Sequence, residues 1–371
     1  MKREEFVQEL TGHIIPFWNK LRDDENGGFT GFMDSALNVD KKGEKGVILH
    51  SRILWFYSNA YMELKDPALL DMAKHAYEFL TEKCVDKEYG GVYWSMNYDG
   101  TVKDDFKHSY CQAFFIYALS SYYRASGDKN ALKLAYEIMD LVEKYATDDV
   151  AYLETMARDW KSELQNDELS ENGLMADKTM NTTLHLMEAY TELYLADHSP
   201  KVLDRLKFQL DLTYDKIYDK EGHKLLVFFD RNMDVIGDPA ITAKFAEMNK
   251  AIVKNIADIA YDKASGSLLN ERDKDKINTW RIWWVQAETV IGFMNAYQKH
   301  YGGKEYFEIS SSVWKFIQEH IIDKRPGGEW HSQIDDNWKP ADFKPMVDPW
   351  KCPYHNGRMC MEMMRRLAEN A

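Results

Sequence analysis

A chain of 371 residues that is 45% hydrophobic can bury a large core, and the absence of any run of about 18 apolar residues argues against a membrane span. Its net charge of −14 is spread along the sequence without a basic block, which argues against nucleic acid as a partner. The charged start MKREEFVQEL lacks an apolar signal-like core, and Cys84, Cys111, Cys352 and Cys360 lack metal-ligand spacing, so a cytoplasmic protein with buried thiols is expected.

From the N-terminus, Glu4 to Lys20 predicts an amphipathic helix, and Gly27-Gly28-Phe29 opens an extended loop. A stretch beginning near His50 follows (Ile53-Leu54-Trp55-Phe56-Tyr57), apolar nearly all round, as in a helix buried on most sides. Asp66-Pro67 then supplies an N-cap and a first-turn proline. The helix it starts carries Leu69, Met72, Ala73, Ala76, Phe79 and Leu80 at three- and four-residue spacing. This two-helix unit recurs. Gly90-Gly91-Val92-Tyr93-Trp94 leads to an aromatic helix near His108 and an ordinary one from Gly127-Asp128. The next pair starts near Thr179 and at His198-Ser199-Pro200. Lys224 to Val235 reads as a hairpin, yet it runs straight into Gly237-Asp238-Pro239, a start of the second kind. Trp280 and Gly302-Gly303 begin another pair, and Gly327-Gly328-Glu329-Trp330 precedes a last aromatic helix near Tyr354.

The aromatic helices start 58, 71, 101 and 74 residues apart, so the long third step lacks one helix of the first kind. Inner helices alternating with outer ones predict an all-α fold, an (α/α)6-barrel (α-toroid) with short β-hairpins, missing one inner helix. Eleven long helices are expected where the full pattern has twelve, in a single domain spanning 1–371, with the N-terminal helix packing beside the last inner one.

Polar residues recur at the N-terminal turns of the inner helices: His50 and Arg52, His108 and Tyr110, Asn181 and His185, Trp284 and Glu288, and His355 with Asn356 and Arg358. Inner helices of a toroid run parallel, so these side chains predict one shared pocket. Histidines, an arginine, a glutamate and stacking tryptophans suit proton transfer on a neutral polyol. No G-x-S-x-G elbow, P-loop or dinucleotide fingerprint supports acyl transfer or nucleotide chemistry. No H-x-x-x-H or H-E-x-x-H pair supports a metal.

The segments LHSRILWFYSNAY (49–61), DKTMNTTLHLMEAYTELY (177–194), RIWWVQAE (281–288) and WKCPYHNGR (350–358) resemble the cellobiose 2-epimerases. These belong to the N-acylglucosamine 2-epimerase superfamily of (α/α)6 barrels. The resemblance implies a cofactor-independent enzyme that interconverts the reducing-end glucose and mannose of β-1,4-disaccharides such as cellobiose and lactose, through a cis-enediol. It implies that His355 is one of two bases and that Arg52 holds the C1–C2 oxygens. Tyr110, Asn181 and His185 would line the reducing-end sugar site, and Trp284, Glu288 and Trp350 would stack on and hydrogen-bond the disaccharide. The family's second base lies in an S-Y-G-H-D-I-E segment on the inner helix after the Val235 hairpin, and this sequence contains no such segment.

Three readings stand on the residues: an epimerase, a non-catalytic disaccharide-binding relative, and an inverting glycoside hydrolase. The last needs two carboxyl groups about 6.5–9.5 Å apart across the sugar. The expected partner is a small disaccharide, with no nucleic acid and no membrane, and the chain is expected as a monomer or weak homo-oligomer.

Overall fold

The computed structural model describes residues 1–165, 176–233, 245–273 and 276–368. The first helix comprises α1 (Arg3–Glu9), a π turn (Leu10–Ile14) and α2 (Ile15–Asn19). Next come α3 (Val47–Leu64), α4 (Pro67–Phe79) with a π turn (Leu80–Cys84), α5 (Ser109–Ser126) and α6 (Lys129–Tyr145). Then follow α7 (Met180–Asp197) and α8 (Pro200–Leu212), which ends in a π turn (Thr213–Ile217). The last are α9 (Phe245–Ile259), α10 (Trp283–Gln298), α11 (Lys304–Phe316) with a π turn (Ile317–Ile321), and α12 (Tyr354–Ala368). Among the described residues these make eleven long helices, as the broken period predicts. The start read at Gly237-Asp238-Pro239 lies outside the described residues.

The chain divides into two compact units, Asp23–Phe29 with Lys42–Phe245, and Met1–Arg22 with Thr30–Lys41 and Ala246–Ala371. In the first unit α3, α5 and α7 pack side by side, and each is followed by its outer helix, α4, α6 or α8. Every residue from Val47 to Ala60 and from Ser109 to Tyr122 is buried, as helices apolar all round require. The starts obey the capping signals: Asp66 accepts from Ala68 N at 3.0 Å, Asp128 from Asn130 N at 2.9 Å, and Thr179 from Thr182 N at 3.1 Å. α7 departs from its siblings. Leu184 and Met187 on one flank are only half-buried, and Leu195 is 48% exposed.

In the second unit α10 packs on α11 and α12, and the N-terminal helix lies against α12. Three indoles tie this unit together: Trp330 Nε1 donates to Glu9 at 2.7 Å, Trp314 Nε1 to Glu5 at 2.9 Å, and Trp18 Nε1 to Glu329 at 3.3 Å. α9 is the exception here. Its apolar residues Ile252, Val253 and Ile256 are half-buried and Ile259 is 55% exposed.

A latch repeats through both units. After each outer helix an aspartate accepts backbone N–H groups of its own turn: Asp23, Asp86, Asp148, Asp219, Asp262 and Asp323. Four of these carboxylates also receive the cation that stands two residues ahead of the next inner helix. The pairs are Asp23–Lys45 at 2.7 Å, Asp86–Lys107 at 3.0 Å, Asp148–Lys178 at 2.8 Å and Asp262–Arg281 at 2.8 Å. Near Asp323 the lead-in cation of α12, Lys351, pairs with Glu329 instead, and Asp323 takes Arg325. These five cations are at most 3% exposed. Asp219 differs: among the described residues its cation is Lys224, 3.7 Å away with a side chain 62% exposed.

Successive latch aspartates are 63, 62, 71, 43 and 61 residues apart, so the short step falls between Asp219 and Asp262. The strand pairs agree. Residues entering an inner helix pair with the strand after the next outer helix: Lys45–Gly46 with Ser95–Met96, Lys107–His108 with Thr155–Met156, Lys178–Thr179 with Phe228–Phe229, and Arg281–Ile282 with Gln333–Ile334. After α9, Glu271–Asp273 pairs with Lys276–Asn278.

Candidate active site

Two groups of the singled-out residues come together, one in each unit. In the first, Arg52 on α3 is buried. Its Nη2 donates to Tyr110 Oη at 2.8 Å, and its guanidinium lies 4.2 Å from the Phe114 ring centre. Tyr110 and Phe114 are one turn apart on α5. His185 on α7 sets its ring edge-on to Tyr110, with centres 4.7 Å apart, and tilted to Phe114 at 4.6 Å. Its Nδ1 is 2.7 Å from Glu188 Oε2, one turn on. Asn181 is half-buried one turn before His185, on the same side of α7. Parallel packing of α3, α5 and α7 thus gathers residues far apart in sequence.

Two histidines of the same turns serve the fold. His50 Nδ1 binds Gly46 O at 2.8 Å, and Nε2 accepts from Phe29 N at 2.9 Å. Burial drives its pKa down to about 3, so it stays neutral. The adjoining glycine makes room: at Gly28, with φ +66°, a Cβ would stand 2.8 Å from His50 Nε2. Gln112 and Gln286 hold Val92 and Leu268 in the same way, each through both amide atoms. His108 is the N-cap of α5, accepts from Tyr110 N at 3.2 Å, and is held near pKa 3 by burial.

In the second unit, His355 opens the first turn of α12 beside Glu288 of α10. His355 Nδ1 is 2.7 Å from Glu288 Oε1, and Arg358 Nη2 donates to the same oxygen at 2.6 Å. Desolvation works to raise the Glu288 carboxyl, but the Arg358 charge and the His355 bond outweigh it and leave its pKa at about 2. A carboxylate on Nδ1 fixes the imidazole orientation and leaves Nε2 as its acid–base atom. Trp283 meets this ring edge-on at 5.4 Å and Trp284 lies tilted at 5.7 Å. Trp284 is 44% exposed, and Trp350, in the turn before α12, is 38% exposed. Trp350 N donates to Asp348 at 2.7 Å.

Sequence reasoning did not single out Glu188 or Phe114. The H-x-x-E spacing of His185 and Glu188, one turn on a helix, was the available signal for the first. Phe114 looked like core and serves as the platform under Arg52. Arg358 was noted at its turn, but its hold on Glu288 follows only from the packing of α10 on α12. Among the described residues no group of three or more His, Cys, Asp or Glu could hold a metal, and no helix is long and apolar enough to cross a membrane.

A family model described as N-acylglucosamine 2-epimerase matches residues 27–249 and 239–355. The two matches overlap where the latch period is short. A cellobiose 2-epimerase of Ruminococcus albus is 55% identical over 389 aligned positions, covering 99% of each chain. Since this chain has 371 residues, at least 18 of those positions have no residue of this chain opposite. The crystal structure of a sugar epimerase from a ruminal bacterium superposes with a TM-score of 0.94 at 54% identity, covering 99% of each chain. The cellobiose 2-epimerase of Bacillus thermoamylovorans gives 0.93 at 40% identity, covering 98% of this chain and 99% of that one. The fold is the (α/α)6-barrel class that the helix pairs predict, with the fourth inner helix absent among the described residues. Agreement of this extent in sequence and in backbone makes the chain a member of the N-acylglucosamine 2-epimerase family.

Proposed function

We propose that this chain moves the C2 proton of the reducing-end sugar in β-1,4-disaccharides such as cellobiose, and so belongs with the cellobiose 2-epimerases in activity as well as descent. The observation that carries the assignment is the His355–Glu288–Arg358 arrangement. A C2 proton α to an aldehyde is weakly acidic, so its removal needs a base near neutral pKa and a donor to the oxygen that gains charge. In the open-chain sugar, His355 Nε2 takes the C2 proton. The C–H electron pair becomes the C1=C2 bond, and the carbonyl pair moves to O1. Arg52 is assigned to the C1–C2 oxygens of that enediolate. Its support is the family position and a guanidinium fixed by Tyr110 and Phe114. Return of a proton to the other face of C2 gives mannose.

Tyr110, Asn181 and His185 are assigned to the reducing-end sugar, and Trp284 and Trp350 to stacking, supported by their exposure and by the apolar C–H faces of pyranoses. Glu288, held ionised down to about pH 2, is a poor proton donor at neutral pH, which weighs against a glycoside hydrolase.

The test is incubation with cellobiose in heavy water, followed by NMR of C2 and chromatography of products. Epimerisation should run at least about 10²-fold below the Ruminococcus albus relative, because the segment carrying the second family base has no counterpart here. C2 exchange should vanish in His355→Asn. Turnover at the full rate of the relative would assign the second proton transfer to another group, with His185 and its Glu188 partner the first to test. A sugar-binding relative without turnover is the second reading, and the lack of a fourth inner helix among the described residues favours it. Saturable cellobiose binding with no exchange at C2 would establish it.

A further inference from the structure

Among the described residues of the first unit, the outer helix α8 is followed by no inner helix. On α7 the flank formed by Leu184, Met187 and Thr191 is half-buried to exposed, whereas the corresponding residues Ser51, Leu54 and Ser58 of α3 and Ala113, Ile116 and Ser120 of α5 are buried. Met187 and Thr191 of this flank, with Leu203, Leu206 and Leu210 of α8, line a largely apolar groove of about 420 Å³. Four features fix what the groove would hold. The latch period falls short by roughly one helix between Asp219 and Asp262. The relative's alignment has at least 18 positions unmatched here. The inner helices α3, α5 and α7 are each 18 residues long. Asp219 sits in the latch conformation, accepting from Glu221 N at 3.1 Å and Gly222 N at 3.0 Å, with the exposed Lys224 in place of a buried lead-in cation.

We propose that the α7–α8 face is a docking groove for one helix of the inner type, about 18 residues long, supplied in trans, and that Asp219 is the anchor for a cation two residues ahead of its first turn. The chemistry of the occupant follows from the groove and the repeat: one apolar flank for α7, a second against α8, and a single positive charge at the entry. The inference does not rest on the epimerase reading, since docking is measured without turnover.

The probe is a fluorescein-labelled synthetic peptide with the residues of the Ruminococcus albus relative that stand opposite the gap, added to the full 371-residue protein. Anisotropy should show saturable one-to-one binding. Leu210→Asp and Met187→Glu, both at groove positions with partial exposure, should each weaken it about tenfold or more while thermal unfolding stays near that of the parent. A second peptide with lysine two residues ahead of the helix should bind the parent about tenfold more tightly than one with glutamine there, and that gain should vanish in Asp219→Asn. No saturable binding, equal binding by all variants, or sedimentation showing that a second copy of the chain already covers the face would overturn the proposal. A lysine gain that persists in Asp219→Asn would remove Asp219 as the anchor.

Discussion

Replacing a latch aspartate should cost stability in proportion to how completely its cation is buried, and Asp86 and Asp219 form the sharpest pair. Asp86 and Lys107 have side chains 0% exposed and stand 3.0 Å apart, and Arg158 adds two bonds to the same carboxylate at 2.9 and 3.1 Å. Asparagine keeps an acceptor for the turn N–H groups but removes the charge. Lys107 is then left in the interior without its bonded carboxylate, facing the Tyr93 ring 4.5 Å from its ammonium. Arg158, whose side chain is 35% exposed, can turn outward. Breaking a buried pair on one side costs about 3–5 kcal/mol, so Asp86→Asn should lose about that much. Asp219 has a solvated lysine at 3.7 Å, and such pairs contribute about 0–1 kcal/mol. Urea unfolding followed by tryptophan fluorescence measures both variants. Equal losses, or an Asp86→Asn variant within about 1 kcal/mol of the parent, would refute the latch as a stabilising device. The pH response supplies a second check. Desolvation tends to raise the Asp86 carboxyl, but its bonds to Arg158 and Lys107 hold it well below the ordinary carboxylate range. Its contribution is therefore complete above the unfolded value of about 3.9 and disappears as pH falls through the lower folded value. The gap between parent and Asp86→Asn should close in strong acid.

Glu288→Gln should lower C2 exchange by about 10²-fold with little change in KM, because it disturbs the base through its Nδ1; a rise in KM alone would instead support the disaccharide contact that the resemblance implies for Glu288. Trp350→Ala should weaken cellobiose binding more than glucose binding, and equal losses in calorimetry would count against a disaccharide site. Glu154 is buried, and desolvation raises its carboxyl to about 7 despite bonds from Thr182 and Thr179 N. A folded value above the unfolded one contributes stability that is full below about 4.3 and is lost as pH rises through about 7. Glu154→Gln should flatten that decline in a denaturation series from pH 5 to 8, and an unchanged slope would contradict it.

Much of this architecture was legible because helix punctuation is local. Asp66-Pro67, Gly127-Asp128 and Ser199-Pro200 mark their helices to the residue, since a cap and a first-turn proline act within one turn. The missing helix was visible as a broken period. The latch was overlooked, although an aspartate four residues before a glycine recurs at Asp23, Asp86, Asp262 and Asp323. Its partner lies on the next strand, and a buried lysine looks like a solvated one until the strand is placed. The site was legible only as a set of helix ends. Nothing in the sequence tells that Glu288 turns to His355 and Arg358, because that depends on how closely α10 and α12 approach.

The four aspartate–cation latches each close over only 19 to 30 residues of chain. Short closures form quickly and need nothing made later, so each can engage soon after its own segment leaves the ribosome. Assembly then proceeds as a series of local decisions, each hairpin secured before the following one exists. A chain that omits one helix halfway through has by then fixed three hairpins, and the segments made afterwards carry their own fastening.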